Sequence, residues 1–150
     1  MFDTIAQLQV PYIIMHMQGT PKNMQNNPTY NNVVVEIISY FKKRIKILRT
    51  KGIKQIIIDP GFGFGKTLDH NYQILTKLEE FNQFNIPVLV GTSRKSMIYK
   101  LLDEKPKDAL NGTSITNTMA LQKGASILRV HDVKEAIECI KITTFAKNLA

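Results

Sequence analysis

The sequence predicts a parallel α/β fold, and three observations carry that reading. Four short apolar runs, at 11–17, 55–59, 87–91 and 125–131, alternate with longer amphipathic segments. Such alternation is the pattern of crossover units around a parallel sheet. The C-terminal ends of the runs carry charged or titratable groups: His16; Asp59; Ser93, Arg94 and Lys95; and Arg129 with His131. Strand ends of a (β/α)8 TIM barrel converge on one mouth, whereas in an open, doubly wound sheet only the switch-point strands contribute. The polar ends therefore favour the barrel. A complete barrel takes roughly 250 residues, about 31 per unit. The 150 residues here are read as one domain, 1–150, supplying about four C-terminal βα units, or half a barrel.

Each element has its own justification. Phe2, Ile5 and Ala6 keep helical spacing and read as the end of a helix already in progress. Pro11–Met17 has the length of a buried strand. A polar loop from Gln18 to Pro28 leads to a helix from about Tyr30 to Lys51, whose apolar stripe is Val34, Ile37, Ile38, Phe41, Ile45 and Leu48. Gly52 punctuates, Gln55–Asp59 is the second strand, and Pro60–Thr67 is a glycine-rich loop before a helix predicted from Asp69 to Phe84. Pro87–Gly91 is the third strand. Met97, Ile98, Leu101 and Leu102 predict a short helix, followed by another from Asp108 to Lys123 with Gly124 as its cap. Ala125–His131 is the fourth strand, and Val133, Ala136, Ile137 and Ile140 place a last helix from Asp132 onward.

Composition narrows the partners. Hydrophobic residues make up 43% of the chain, which argues against disorder, and no apolar run approaches the roughly 18–20 residues of a membrane helix. Met1-Phe2-Asp3-Thr4 lacks the basic and apolar regions of a secretory signal, so a cytoplasmic location is expected. A single cysteine, Cys139, leaves no internal disulfide or cysteine zinc cluster. Twenty Lys and Arg against 12 Asp and Glu give a net charge of +8, which favours an anionic partner. The densest basic run is Lys42, Lys43, Arg44, Lys46, Arg49, Lys51 and Lys54. It lies opposite an apolar stripe, as a solvated helix face does. No zinc finger, aromatic RNA-binding motif or basic zipper accompanies it, so nucleic acid is not expected as a partner.

The motifs lie at the strand ends. Gly61-Phe62-Gly63-Phe64-Gly65-Lys66-Thr67 is not a phosphate-binding P-loop, because only three residues separate Gly61 from Gly65 where four are required. Nor is it a dinucleotide fingerprint, since Lys66 stands where glycine is needed. It reads as a tight turn projecting Phe62 and Phe64, either to wall a flat ligand or, for Phe62, to fill the core. Asp59 ends an apolar strand, so its carboxylate must be solvated, paired or ligand-bound. In Ser93-Arg94-Lys95-Ser96, Lys95 and Arg94 suit an anion or a ring carbonyl; the alternative is a helix N-terminus capped by Ser93. Arg129 and His131 alternate along a strand and so share a side, where an Arg–His pair suits phosphate or diphosphate. His16 reads as structural, and no His/Asp/Glu spacing resembles a metal site.

Asp59-Pro60-Gly61-Phe62-Gly63-Phe64-Gly65-Lys66-Thr67, Gly91-Thr92-Ser93-Arg94-Lys95-Ser96 and Arg129-Val130-His131-Asp132-Val133, with Met15-His16-Met17 and Gly19-Thr20-Pro21 before them, resemble the later signatures of the dihydropteroate synthase family. That resemblance implies a folate-biosynthesis transferase on a pterin-binding TIM barrel. It would join 6-hydroxymethyl-7,8-dihydropterin diphosphate to para-aminobenzoate with loss of diphosphate. Carried over by position, the pterin site would comprise Met15, Asp59, Phe64, Lys95 and Arg129, with Asp59 on the amino-pyrimidine edge. Phe64, Lys95 and Ser96 would border para-aminobenzoate. Arg129 and His131 would hold diphosphate, and Lys95, Arg129 and His131 would form the catalytic set.

The family's first four strands have no counterpart in these residues. They carry two mobile loops and the asparagine that holds Mg2+, so the resemblance implies an incomplete, inactive half without its own metal ligand. Two other readings stand beside it: a non-catalytic half-barrel and a pterin-binding methyltransferase half. The half-barrel would associate through its two unpaired parallel edges, which is why a homo-oligomer is expected.

Overall fold

The computed structural model describes residues 2–149. Its sheet is made of β1 (Tyr12–Met15), β2 (Ile56–Asp59), β3 (Leu89–Val90) and β4 (Ile127–Leu128). β1 pairs in parallel with β2, and β3 with β4. A parallel bridge between Ile58 and Val88, with Ile58 N–H donating to Pro87 O at 3.0 Å, links the two pairs. The spatial order thus follows the chain order without reversal. An open doubly wound sheet reverses at its switch point, so this is a segment of barrel wall.

The register fixes which side chains face the helices. Ile14, Ile56, Ile58, Val88 and Val90 are buried in the main core beneath the helices. Their alternates Ile13 and Met15, Ile57 and Asp59, Leu89 and Gly91, and Ile127 and Arg129 fall on the opposite, barrel-inner face. Ile13 is 47% exposed there.

α1 (Phe2–Leu8) precedes β1, and α2 (Val33–Thr50) follows it. Asn32 caps α2 by accepting from Val35 N–H at 3.2 Å, and Glu36 Oε1 reaches back to the backbone of Asn31 and Asn32. The predicted stripe of α2 is buried, and Lys42, Lys43, Arg44, Lys46 and Arg49 are exposed. α2 ends where Gly52 turns with φ +82° and Ile53 N–H returns to Leu48 O at 3.0 Å. Gly124, with φ +96°, ends α5 (Leu110–Gln122) in the same way through Ala125 N–H to Ala120 O.

One helix differs from expectation. The segment predicted from Asp69 to Phe84 is α3 (Leu68–Thr76) followed by a 3-10 stretch, Leu78–Phe84. Leu78, Phe81 and Phe84 recur every third residue. That is the repeat of a 3-10 helix rather than of an α-helix, and it sets Phe81 and Phe84 edge-on to Phe41 at 6.1 and 6.2 Å. α4 is a single turn, Ser96–Tyr99, and α6 is Val133–Lys147. Among the described residues no helix is long and apolar enough to cross a membrane.

Candidate active site

The strand tips meet in one cup. Asp59 is 8% exposed at the end of β2, and its Oδ1 accepts Gly61 N–H at 2.7 Å. Burial raises its pKa, against the opposing pull of that hydrogen bond and of the charges on Lys95, Arg129 and Lys66. Met15 lies beside it in register on β1. From the β3 end, Lys95 reaches across to donate to Phe62 O and places Nζ 4.8 Å from the Phe64 ring centroid. Burial lowers the Lys95 pKa to about 8, with Asp59 opposing and Arg129 adding to the shift. Gly91, Ser93, Lys95, Arg129 and His131 line a single depression of about 200 Å³. Arg129 crosses Gly91, where a Cβ would stand 3.6 Å from Nε. Phe64, Lys95 and Ser96 line an adjoining hollow of about 330 Å³ with Tyr99 and Pro106.

The β2–α3 loop shapes the cup because glycine occupies its left-handed positions. Gly61, with φ +73°, passes so close to β1 that a Cβ would lie 1.9 Å from His16 O. Phe62 is fully buried in the core, and Phe64 is half-buried at the cup. The two phenylalanines left open by the sequence thus divide between structure and site.

Lys66, which in sequence only spoils a nucleotide motif, ties this loop together. Its Nζ is buried and donates to Gly61 O at 2.9 Å and Phe64 O at 3.0 Å, and lies 3.1 Å from His16 Nδ1. Burial lowers its pKa to about 7. His16 accepts that contact as a neutral ring, its own pKa pushed down to about 3 by burial and by Lys66. It packs edge-on to Tyr40 at 5.1 Å, so it is structural, as its sequence context indicates. The signal for Lys66 was available: a loop turning three times through glycine leaves inward carbonyls that need a buried donor.

Two expectations at the β3 end need correction. Ser93 does not cap α4; its hydroxyl accepts His131 N–H at 3.2 Å and meets His131 Nδ1 at 3.0 Å. Arg94 is not left free for an anionic ligand. Its guanidinium is held by both carboxylate oxygens of Asp132, at 2.9 and 2.8 Å, and by the carbonyls of Pro106 and Lys107.

These residues do not make a magnesium site. Asp132 is occupied by Arg94, and Asp59 faces Gly61 N–H amid the charges of Lys95, Arg129 and Lys66. Among the described residues no three His, Cys, Asp or Glu gather as ligands.

The family description "pterin binding enzyme" matches residues 1–131. The chain belongs to the pterin binding enzyme family. Relatives within it include the dihydropteroate synthase of Escherichia coli strain K12, 46% identical over 142 residues that cover 93% of this chain and 50% of that protein. That of Haemophilus influenzae is also 46% identical, over 93% of this chain and 52% of its own length. Among solved members, the Yersinia pestis dihydropteroate synthase with a sulfonamide drug superposes with a TM-score of 0.97 at 41% identity, over 99% of this chain and 55% of that one. The Xanthomonas albilineans enzyme in complex with 7,8-dihydropteroate gives 0.89 at 35% identity, over 97% and 54%. The chain spans about half the length of the curated relatives it matches. Its fold is therefore half of a pterin-binding TIM barrel, and its relatives in that family are folate-biosynthesis transferases.

Proposed function

We propose that these residues supply the pterin and diphosphate side of a dihydropteroate synthase active site and need the four earlier strands for turnover. The convergence of Asp59, Lys95 and Arg129 within electrostatic reach of one another, with His131 on the same rim as Lys95 and Arg129, is the observation that supports it. In this reading the Asp59 carboxylate accepts two N–H groups from the amino-pyrimidine edge, and Lys95 donates to the ring carbonyl. Arg129 lies over the ring face and reaches, with His131, to the diphosphate. Phe64 and Ser96 flank para-aminobenzoate. The C–O bond breaks with its electron pair leaving on diphosphate, the arylamine nitrogen attacks the freed methylene carbon, and the amine then loses a proton. The preorganised cations Lys95 and Arg129, with a ring N–H of His131, stabilise the charge that develops on the departing oxygen. The protein ligand for magnesium belongs to the earlier strands.

The test is complementation. The purified chain should form no dihydropteroate from the two substrates and magnesium. Mixed with the first four strands of a relative such as the Escherichia coli enzyme, it should do so. Turnover by the chain alone would end the half-site reading, and a folded, associated pair without turnover would end the synthase reading.

A second reading, the self-associating half-barrel, rests on the exposed inner Ile13 and on β1 and β4 having no further paired strand among the described residues. It makes the chain a homo-oligomer, and a stable monomer by light scattering would remove it.

A further inference from the structure

Arg94 has a backbone φ of +52°, a left-handed conformation uncommon for a residue with a side chain. Strain of this kind persists only where the surroundings over-determine it. Here they do. The backbone N–H of Arg94 donates to Thr113 Oγ1 at 3.0 Å, while its guanidinium spans from the carbonyls of Pro106 and Lys107 to the Asp132 carboxylate. One side chain thus joins the β3–α4 turn that carries Lys95 to the β4–α6 turn that carries His131. The preceding residue closes the same gap from the other side, since Ser93 Oγ contacts both the backbone N–H and the ring Nδ1 of His131. Ser93-Arg94 and His131-Asp132 therefore form a clasp of two residues against two. One lone pair of Ser93 Oγ takes the His131 backbone N–H, and the hydroxyl proton is placed to donate to Nδ1 at 3.0 Å. With that donation made, a neutral His131 ring carries its proton on Nε2, the nitrogen turned away from Ser93.

We propose that Arg94, acting through Asp132, is a positioning residue that fixes the orientation and tautomer of His131 and its spacing from Lys95 on the rim where diphosphate binds. The inference rests on the diphosphate role proposed above. The fork geometry is what makes arginine necessary: a lysine ammonium cannot engage both carboxylate oxygens and two carbonyls from one plane.

The experiment reads the imidazole nitrogens by 15N NMR on the intact chain, first free and then titrated with inorganic diphosphate. The wild-type ring should show a single Nε2–H tautomer for His131, and its signals should shift on titration. In Arg94→Gln and Arg94→Lys the two nitrogen shifts should move toward each other, and diphosphate should bind about 10-fold more weakly. The Asp132→Asn change should do the same, and adding it to Arg94→Gln should weaken binding little further. Asp132→Asn carries the test should Arg94→Gln fail to fold. Variants that lose stability but keep the wild-type tautomer and affinity would overturn the proposal and reduce the clasp to scaffolding. A wild-type chain whose His131 signals ignore diphosphate would overturn the diphosphate role instead. The free-state tautomer comparison would then still decide whether Arg94 positions the ring.

Discussion

Replacing Gly61 by alanine is expected to cost more than about 4 kcal/mol, enough to unfold a marginal domain. Two penalties coincide at this position. Its φ of +73° is strained for any residue with a Cβ, and that Cβ would lie 1.9 Å from His16 O and 3.3 Å from Met15 Cγ. The obstructing atom cannot retreat, because the His16 backbone is held by its N–H bond to Asp59 O at 3.0 Å. Gly52 is the internal control. It has a similar φ of +82° but nothing within 4 Å of a Cβ, so Gly52→Ala should cost only about 1 kcal/mol. Urea denaturation of the two variants separates conformational strain from collision. Equal losses would show that the approach of the loop to β1 is not the constraint the geometry implies.

What the sequence made legible follows from how local its physics is. The stripe on α2, the glycine stops at Gly52 and Gly124 and the outward basic face depend on neighbours within a turn or two, and they appear where periodicity places them. The break at Lys77 was legible in principle, since the spacing of Leu78, Phe81 and Phe84 is three throughout; a general expectation of α-helix outweighed it. The candidate site residues were visible because a charge at the end of an apolar run is conspicuous. What those charges touch was not. Arg94 and Lys95 are adjacent cations in the sequence, yet one reaches the cup and the other a carboxylate 38 positions away. The turn of the backbone at φ +52° decides which, and no spacing rule encodes it. Lys66 was missed for a related reason. Its partners are mostly backbone carbonyls, which every sequence has and no motif names.

Asp59→Asn separates the stability of the cup from its recognition chemistry. Asparagine keeps the Oδ1 that accepts Gly61 N–H, so the loop retains its anchor while the buried charge is removed. The sign of the charge effect follows from burial raising the Asp59 pKa. Between its ordinary and raised pKa the folded carboxyl holds a proton that the unfolded chain has released, so stability falls as pH rises through that window. Above it the cost of the buried carboxylate is fully present, partly offset by Lys95, Arg129 and Lys66. At pH 7 the variant should therefore be at least as stable as the wild type in urea. Binding moves the other way. Two N–H donors of an amino-pyrimidine edge need an acceptor pair, and asparagine offers one acceptor and one competing donor. Charge-assisted bonds of this kind contribute about 1.5–3 kcal/mol each, so affinity for 6-hydroxymethylpterin in a fluorescence titration of the complemented enzyme should fall about 100-fold. Wild-type affinity should also decline as pH drops through the raised Asp59 pKa, and that decline should vanish in the variant. A variant that binds the pterin within a few-fold of wild type would remove Asp59 from the recognition edge.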